Sequence, residues 1–262
     1  IITPWGSDVL RAKKYQLRGL RKLVQKSNWV TCTQGSRFEK DIVTLLDIPK
    51  EKLYNLPIGI ASIDEILSRP FITDEQAKRV WGFEGKYVIV IGYNGSPAHN
   101  HIKVIKSLVF MKKQLPTNTI LVCPMTYGGN PVYRKKIKRL LWNSQFENQI
   151  LENYLTAEEL VCLRKATDLF IHAQNTDANS GTIAEYLLCR KKIVNPTWIT
   201  YPHYETYGSP FYSFSNFEEL PQAIMKAIND TSNKVSPLLT GNISESGWSK
   251  LACKWVELYK KY

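Results

Sequence analysis

The chain has 262 residues, of which 44 % are hydrophobic and 11 % aromatic. That supports a packed core and excludes a disordered chain, a collagen-like fibre and a coiled coil. Thirty-five Lys and Arg against 23 Asp and Glu give a net charge of +12, which favours a polyanionic partner: nucleic acid, anionic lipid or a phosphorylated small molecule.

No apolar window of about eighteen residues occurs, so no spanning helix is expected. Ile1-Ile2-Thr3-Pro4 has neither an initiator methionine nor the flank and apolar run of a signal peptide, and the sequence reads as the middle of a longer protein. Cys32, Cys123, Cys162, Cys189 and Cys253 are too widely spaced for a zinc knuckle or a redox pair. They read as reduced core thiols, and the expected compartment is the cytosol.

Residues 8–26 carry seven basic side chains, with Val9, Leu17, Leu20, Leu23 and Val24 interleaved at helical spacing. This predicts one basic helix, either a solvated face or a surface for anionic lipid or an anionic acceptor. Residues 29–33 and 53–56 read as strands, with an amphipathic segment from Ser36 through Leu46 between them. Residues 64–79 read as a polar stretch. Beyond it, strands at 86–91, 119–123, around 149–152, 168–173 and 192–194 alternate with helices at about 100–113, after Pro131, after Thr156 and at 181–190. That alternation predicts an α/β fold with a doubly wound parallel sheet, whose ligand loops follow the carboxyl ends of the strands.

The informative loop is residues 173–181, between a buried strand and a helix beginning at Ser180-Gly181. A helix start offers unpaired N–H groups with positive partial charge, which suits a diphosphate, and Gly181 removes the side chain that would obstruct it. Asp177 and Glu185 bracket that helix start. Glu185 is placed to accept from sugar hydroxyls and Asp177 to lie near the departing group; the alternative is an ordinary capped helix, with Asn179 or Ser180 as cap. Glu185→Ala is expected to weaken nucleotide-sugar binding and leave the fold intact. Gly92 and Gly95 permit a sharp turn at another strand end, and His101 adds a hydrogen bond or positive charge there. His99, His172 and His203 receive no role. No His-Glu-x-x-His and no Asp-x-Asp occurs, so no metal site and no cofactor are expected. The run Arg134 to Arg139 reads as a solvated helix face.

Residues 167–194 resemble the donor-site signature of GT-B glycosyltransferases, notably the retaining family with an acid-x7-acid motif. Asp177 stands where that family has its first Glu, and Glu185 takes the second; Arg190 and Lys192 stand where Gly and Pro are usual. A closer likeness, over residues 86–196, is to bacterial 4-acetamido-4,6-dideoxygalactose (4-acetamidofucosyl) transferases. It rests on Gly92, Asn94, Gly95, Ser96 and His101 in one loop and on Pro124, Met125 and Tyr127 in another, with Asn179, Ser180, Gly181 and Thr182 at the acidic motif. The resemblance implies that these twelve residues bind a nucleotide sugar, with Asp177 and Glu185 catalytic. It implies residues 1–60 as part of an acceptor-side domain, 61–240 as the donor-binding domain and 241–262 as a crossover helix. The implied reaction moves a sugar from a nucleotide diphosphate to an acceptor hydroxyl, retaining and metal-free, in bacterial surface polysaccharide synthesis. The acceptor would be a glycan or polyprenyl-diphosphate-linked, with peripheral contact to the anionic inner leaflet and no nucleic acid. The alternatives are a sugar-nucleotide epimerase and a non-catalytic partner subunit.

Overall fold

The structure, a computed structural model, describes residues 1–261. The chain opens with α1 (Gly6–Leu10), α2 (Lys14–Lys26), β1 (Val30–Cys32), α3 (Arg37–Leu46) and β2 (Leu53–Asn55). β1 and β2 pair in parallel, and Ile2 adds a single parallel bridge to β1. Ser36 caps α3 by accepting from the Glu39 N–H, and Phe38, Ile42 and Leu46 at i, i+4, i+8 bury one face against β1. The single basic helix expected over 8–26 is two helices. The chain breaks at residues 11–13, where the Arg11 side chain turns aside to Thr176, 3.2 Å away.

Residues 64–79 are a second correction, since that polar stretch is largely helical. It holds most of α4 (Ala61–Leu67) and α5 (Asp74–Trp81), the latter opened by a Thr73–Gln76 capping box. Charged outer faces conceal the few inward residues, Ile63, Ile66 and Ala77, all buried.

The rest of the chain builds one sheet. In order come β3 (Tyr87–Ile91), α6 (His101–Phe110), β4 (Thr119–Pro124), α7 (Pro131–Ser144), β5 (Glu147–Leu151), α8 (Ala157–Ala166), β6 (Leu169–Ile171), α9 (Gly181–Leu188), β7 (Lys192–Pro196), α10 (Pro202–Glu205), β8 (Phe211–Phe214), α11 (Leu220–Asn229), α12 (Pro237–Ser244) and α13 (Trp248–Lys260). The strand order is β5-β4-β3-β6-β7-β8, all parallel. This is the α/β parallel architecture expected. β8, α10, α11 and α12 lie in the stretch where the sequence had suggested no element. One core packs α4, α5, α8, α9 and α12 on one face of the sheet, and another packs α6, α7 and α11 on the other. The chain steps outward from β3 to β5, then returns to β6 beside β3, so the winding reverses between β3 and β6. Ligands of open α/β sheets bind at such a switch point, outside the carboxyl ends of the strands.

The last helix, α13, turns Leu251, Trp255 and Leu258 onto Leu56 and Tyr54, and the Trp255 indole donates to the Pro57 carbonyl at 3.1 Å. Ala252 is exposed, because it lies about 100° around the helix from Leu251. Cys253 is also exposed, unlike the buried Cys32, Cys123 and Cys162. No helix among the described residues is long and apolar enough to cross a membrane.

The loops after β3 and β4 clasp one another: the Gly95 N–H donates to the Tyr127 carbonyl at 2.7 Å. Gly129, at φ +69°, faces the Gly95 carbonyl oxygen so closely that a Cβ would lie 2.1 Å from it. Gly129→Ala should therefore cost about 2–3 kcal/mol in urea unfolding, from both the left-handed backbone and the clash. Gly82→Ala, at φ +70° in open space, should cost only about 1 kcal/mol.

Candidate functional site

A cleft of about 510 Å³ opens at the switch point, bounded by the loops after β3 and β6 and by the α1–α2 turn. Asn100, at φ +54°, ties the two loops together by donating to the Ala173 carbonyl at 2.8 Å and to Asn175 Oδ1 at 2.7 Å. The Tyr93 hydroxyl crosses the same gap to Gln174 Oε1 at 2.9 Å. From the other side, Arg11 reaches Thr176 and the Asn179 amide donates to Thr33 at 3.1 Å.

The helix α9 points its N-terminus into this cleft. No side chain caps α9, as none caps α4, α6, α11 or α13, whereas Ser36, Thr73, Asn130, Thr156 and Ser236 each cap a helix by accepting a backbone N–H. Gly181 and Thr182, its first residues, line the cavity, and the first N–H groups of a helix carry positive partial charge.

Both acids line the cleft in defined settings. Asp177 Oδ2 accepts from the Tyr201 hydroxyl at 2.5 Å and lies 3.6 Å from His172 Nε2, while Oδ1 accepts from the Ala178 N–H at 2.9 Å. Burial first, and then the Asp177 charge, hold the Tyr201 phenol far above its ordinary pKa, so it stays a donor. His172, given no role by the sequence, presents Nδ1 to Asn195 Oδ1 at 2.8 Å and Nε2 to Gln174 Oε1 at 3.2 Å. Glu185 is buried: Oε2 accepts from Arg164 Nε at 2.7 Å, and Oε1 accepts from the Ser62 hydroxyl. Arg164 also reaches the Tyr186 hydroxyl and lies over that ring, its centre 4.6 Å away. Burial opposes the charge on Arg164, but Tyr186 and Glu185 outweigh it and raise its pKa above the ordinary value. The expectation that Glu185→Ala leaves the fold intact is thereby corrected, since alanine would strand a buried guanidinium without its counter-ion.

Eight of the fourteen residues singled out by sequence line the cleft: Asn94, Tyr127, Asp177, Asn179, Ser180, Gly181, Thr182 and Glu185. The other six do not. Met125 is wholly buried in the α6–α7 core, and Pro124 closes β4 opposite Leu151. Gly92, at φ +63°, passes against His99 and His101, while Gly95 and Ser96 shape the clasped loop behind the cleft. His101 is buried beneath that loop with Nδ1 3.2 Å from the Tyr133 hydroxyl, and burial lowers its pKa to about 4. Of the two contributions expected of it, a hydrogen bond or a positive charge, a neutral imidazole there offers the hydrogen bond.

Arg11, Tyr93, Gln174 and Thr176 also line the cleft, with Tyr201, His172, Ser62 and Arg164 behind its two acids. Gln174, Thr176 and His172 belong to the β6–α9 connection already singled out, where no local pattern says which side chains turn inward, and Arg11, Tyr93, Tyr201, Ser62 and Arg164 reach the site from other elements. Beside the cleft, two further cavities of about 280 and 490 Å³ continue between β1–β2 and the large sheet, sharing Asn179 with it.

Comparison with known proteins agrees with the architecture. No family model matches the chain, and no curated protein matches it by sequence. Among solved structures, the chain is similar to a glycosyltransferase from Rickettsia africae, at 17 % identity and TM-score 0.72, covering 95 % of this chain and 67 % of that one. It is similar to Anabaena HepE in complex with UDP-glucose, at 15 % identity and TM-score 0.75, covering 98 % and 71 %. It is also similar to a sucrose-phosphate synthase from Thermosynechococcus elongatus, at 15 % identity and TM-score 0.69, covering 97 % and 63 %. The fold of this chain is that of the GT-B glycosyltransferases.

Proposed function

We propose that the chain binds a nucleotide-diphosphate sugar in the β3–β6 cleft and transfers its sugar to an acceptor hydroxyl. The observation that carries this reading is the uncapped N-terminus of α9, opening into a cleft flanked by Asp177 and Glu185. The diphosphate would rest on the Gly181 and Thr182 N–H groups with Arg11 nearby, and Glu185 would accept from the sugar hydroxyls of the nucleotide. As the bond from the anomeric carbon to the β-phosphate oxygen breaks, charge develops on that phosphate, where preorganised donors are most effective. Asp177, held by Tyr201, would face the transferring sugar; the acceptor oxygen gains the anomeric carbon and gives up its proton to the departing phosphate. Retention and independence of metal belong to this proposal, as does the division into residues 1–60, 61–240 and 241–262. The sugar class proposed, an acetamido-dideoxyhexose, is supported by the likeness over residues 86–196. The acceptor proposed is a glycan or polyprenyl-diphosphate-linked, met at an anionic membrane surface in bacterial polysaccharide synthesis.

Thermal-shift and calorimetric titration with UDP, TDP, GDP and their sugars tests the reading. One nucleotide should bind at millimolar concentration or tighter, and Glu185→Gln, which keeps an acceptor for Arg164, should weaken it by about 1.5–3 kcal/mol. Folded protein that binds none of them, or an unchanged affinity in Glu185→Gln, would remove the donor-site assignment.

A further inference from the structure

The positive charge of this protein is concentrated. Between Glu84 and Glu147 the sequence holds ten Lys and Arg and no Asp or Glu. That segment contains α6 and α7, which lie side by side on one face of the sheet, their far ends joined by Lys112 Nζ donating to the Ser144 and Gln145 carbonyls at 3.2 and 2.6 Å.

The two helices sort their residues sharply. In α7, Ile137, Leu141 and Ser144 are buried, while Arg134 and Lys138 turn sideways to Glu152. The outward stripe is Val132, Lys135, Lys136, Arg139 and Trp142. In α6, Val104, Ile105 and Leu108 are buried and the outward stripe is Lys103, Lys106, Val109 and Phe110, with Lys113 just beyond. Phe110 and Trp142 are each 83 % exposed and Val132 is 79 % exposed. Lys106, Lys113, Lys135, Lys136 and Arg139 have no ion pair among the described residues. Lys103 lies over Phe217, and Glu218 sits across a shallow hollow from it at the α11 edge.

Uncompensated cations interspersed with exposed aromatic and aliphatic side chains on one surface fit a partner that is anionic at its surface and apolar just beneath. A bilayer with anionic headgroups has that profile; a soluble polyanion would leave Phe110, Trp142, Val109 and Val132 without a function. Tryptophan, apolar in body and polar at its N–H, suits the boundary between the two. We infer that the outer face of α6 and α7 is a membrane-docking surface for anionic lipid. Because α7 starts just past the loop that carries Tyr127 into the cleft, docking there sets the rim of the cleft beside the lipid surface. The inference deepens the proposed function, which asks for a lipid-linked acceptor, but lipid binding by this face can be measured without any nucleotide or transfer.

Sedimentation with phosphatidylcholine vesicles, with and without phosphatidylglycerol, tests it. The chain should partition onto the anionic vesicles and not onto the neutral ones. Lys135→Glu/Lys136→Glu/Arg139→Glu should reduce partitioning by roughly a hundredfold or more. Phe110→Ser/Trp142→Ser should reduce it by roughly tenfold or more, both exposed positions leaving the fold intact. A matched reversal in α2, Lys14→Glu/Arg18→Glu/Lys22→Glu, should have much the smaller effect. Wild-type partitioning in the α6–α7 variants, or loss confined to the α2 variant, overturns the inference. Sensitivity to the charge reversal but not to Phe110→Ser/Trp142→Ser also overturns it and assigns the face to a soluble polyanion. A vesicle-binding chain that binds no nucleotide would keep this inference and sink the proposed function; the reverse result would do the opposite.

Discussion

Arg164→Met is expected to destabilise the protein by about 3–5 kcal/mol, measured as the shift in urea unfolding at neutral pH. Arg164 and Glu185 are both buried, with side-chain exposures of 7 % and 8 %, and meet at 2.7 Å. Among the described residues, removing the guanidinium leaves Glu185 with only the Ser62 hydroxyl as partner in a low-dielectric setting. The cost is that of an unpaired buried charge, which exceeds the net contribution of the pair itself. Arg164→Met/Glu185→Leu should therefore recover most of the lost stability, since two apolar side chains replace two charges. The same double variant should lose nucleotide binding. A double variant as unstable as the single one would show that packing around Tyr186, not charge, is what Arg164 supplies.

Acid should unfold this protein at a milder pH than its carboxylates alone would set. His99, His101 and His203 are held neutral, chiefly by burial, with pKa values lowered from 6.5 to about 2, about 4 and about 4. Neighbouring His101, His172 and Arg11 add to the effect at His99, and neither of its ring nitrogens has a hydrogen-bond partner among the described residues. Below pH 6.5 the unfolded chain takes up protons that the native chain refuses. The stability these groups contribute is thus fully present above pH 6.5 and is lost as pH falls, each histidine costing on the order of 1 kcal/mol per pH unit. Between pH 6.5 and 4.5 the combined loss should be about 4–6 kcal/mol. Urea unfolding at a series of pH values checks this, and His203→Asn, with a side chain that does not titrate, should flatten the slope by about one third. A stability unchanged down to pH 5 would mean that the histidines protonate without penalty, and so are not enclosed as the loop after β3 encloses His99 and His101 and as α10 holds His203.

Each of these effects depends on a group that the sequence did not announce. The acid pair at positions 177 and 185 was legible, because a strand, a polar loop and a helix start leave local signatures in hydrophobic periodicity and capping residues. The ion pair that holds Glu185 was not, because Arg164 lies on another helix and local pattern carries no information about which helices become neighbours. The same holds for Tyr201, whose hydroxyl reaches Asp177 from beyond β7.

The reading of loops divides in the same way. Glycines at 92 and 95 correctly marked a sharp turn after β3, but which loop residues face the cleft depends on how that loop packs on its neighbour. Gly95 is spent on the clasp with Gly129, and His101 is enclosed under the turn. A histidine opening a helix reads alike whether it is solvated or sealed, and only burial decides its charge.

From its sequence alone, this chain determined an alternating α/β pattern, a parallel sheet, the loop bearing Asp177 and the helix that starts after it, while whether a side chain caps that helix was decided only by the structure. These are set by side-chain periodicity and backbone capping, which act over a few residues. The tertiary structure alone decided the strand order that places β3 beside β6, the partners of both acids, the protonation of the buried histidines and the outward sorting of cations on α6 and α7. Those follow from burial and long-range packing, in which residues far apart in the chain share one dielectric environment.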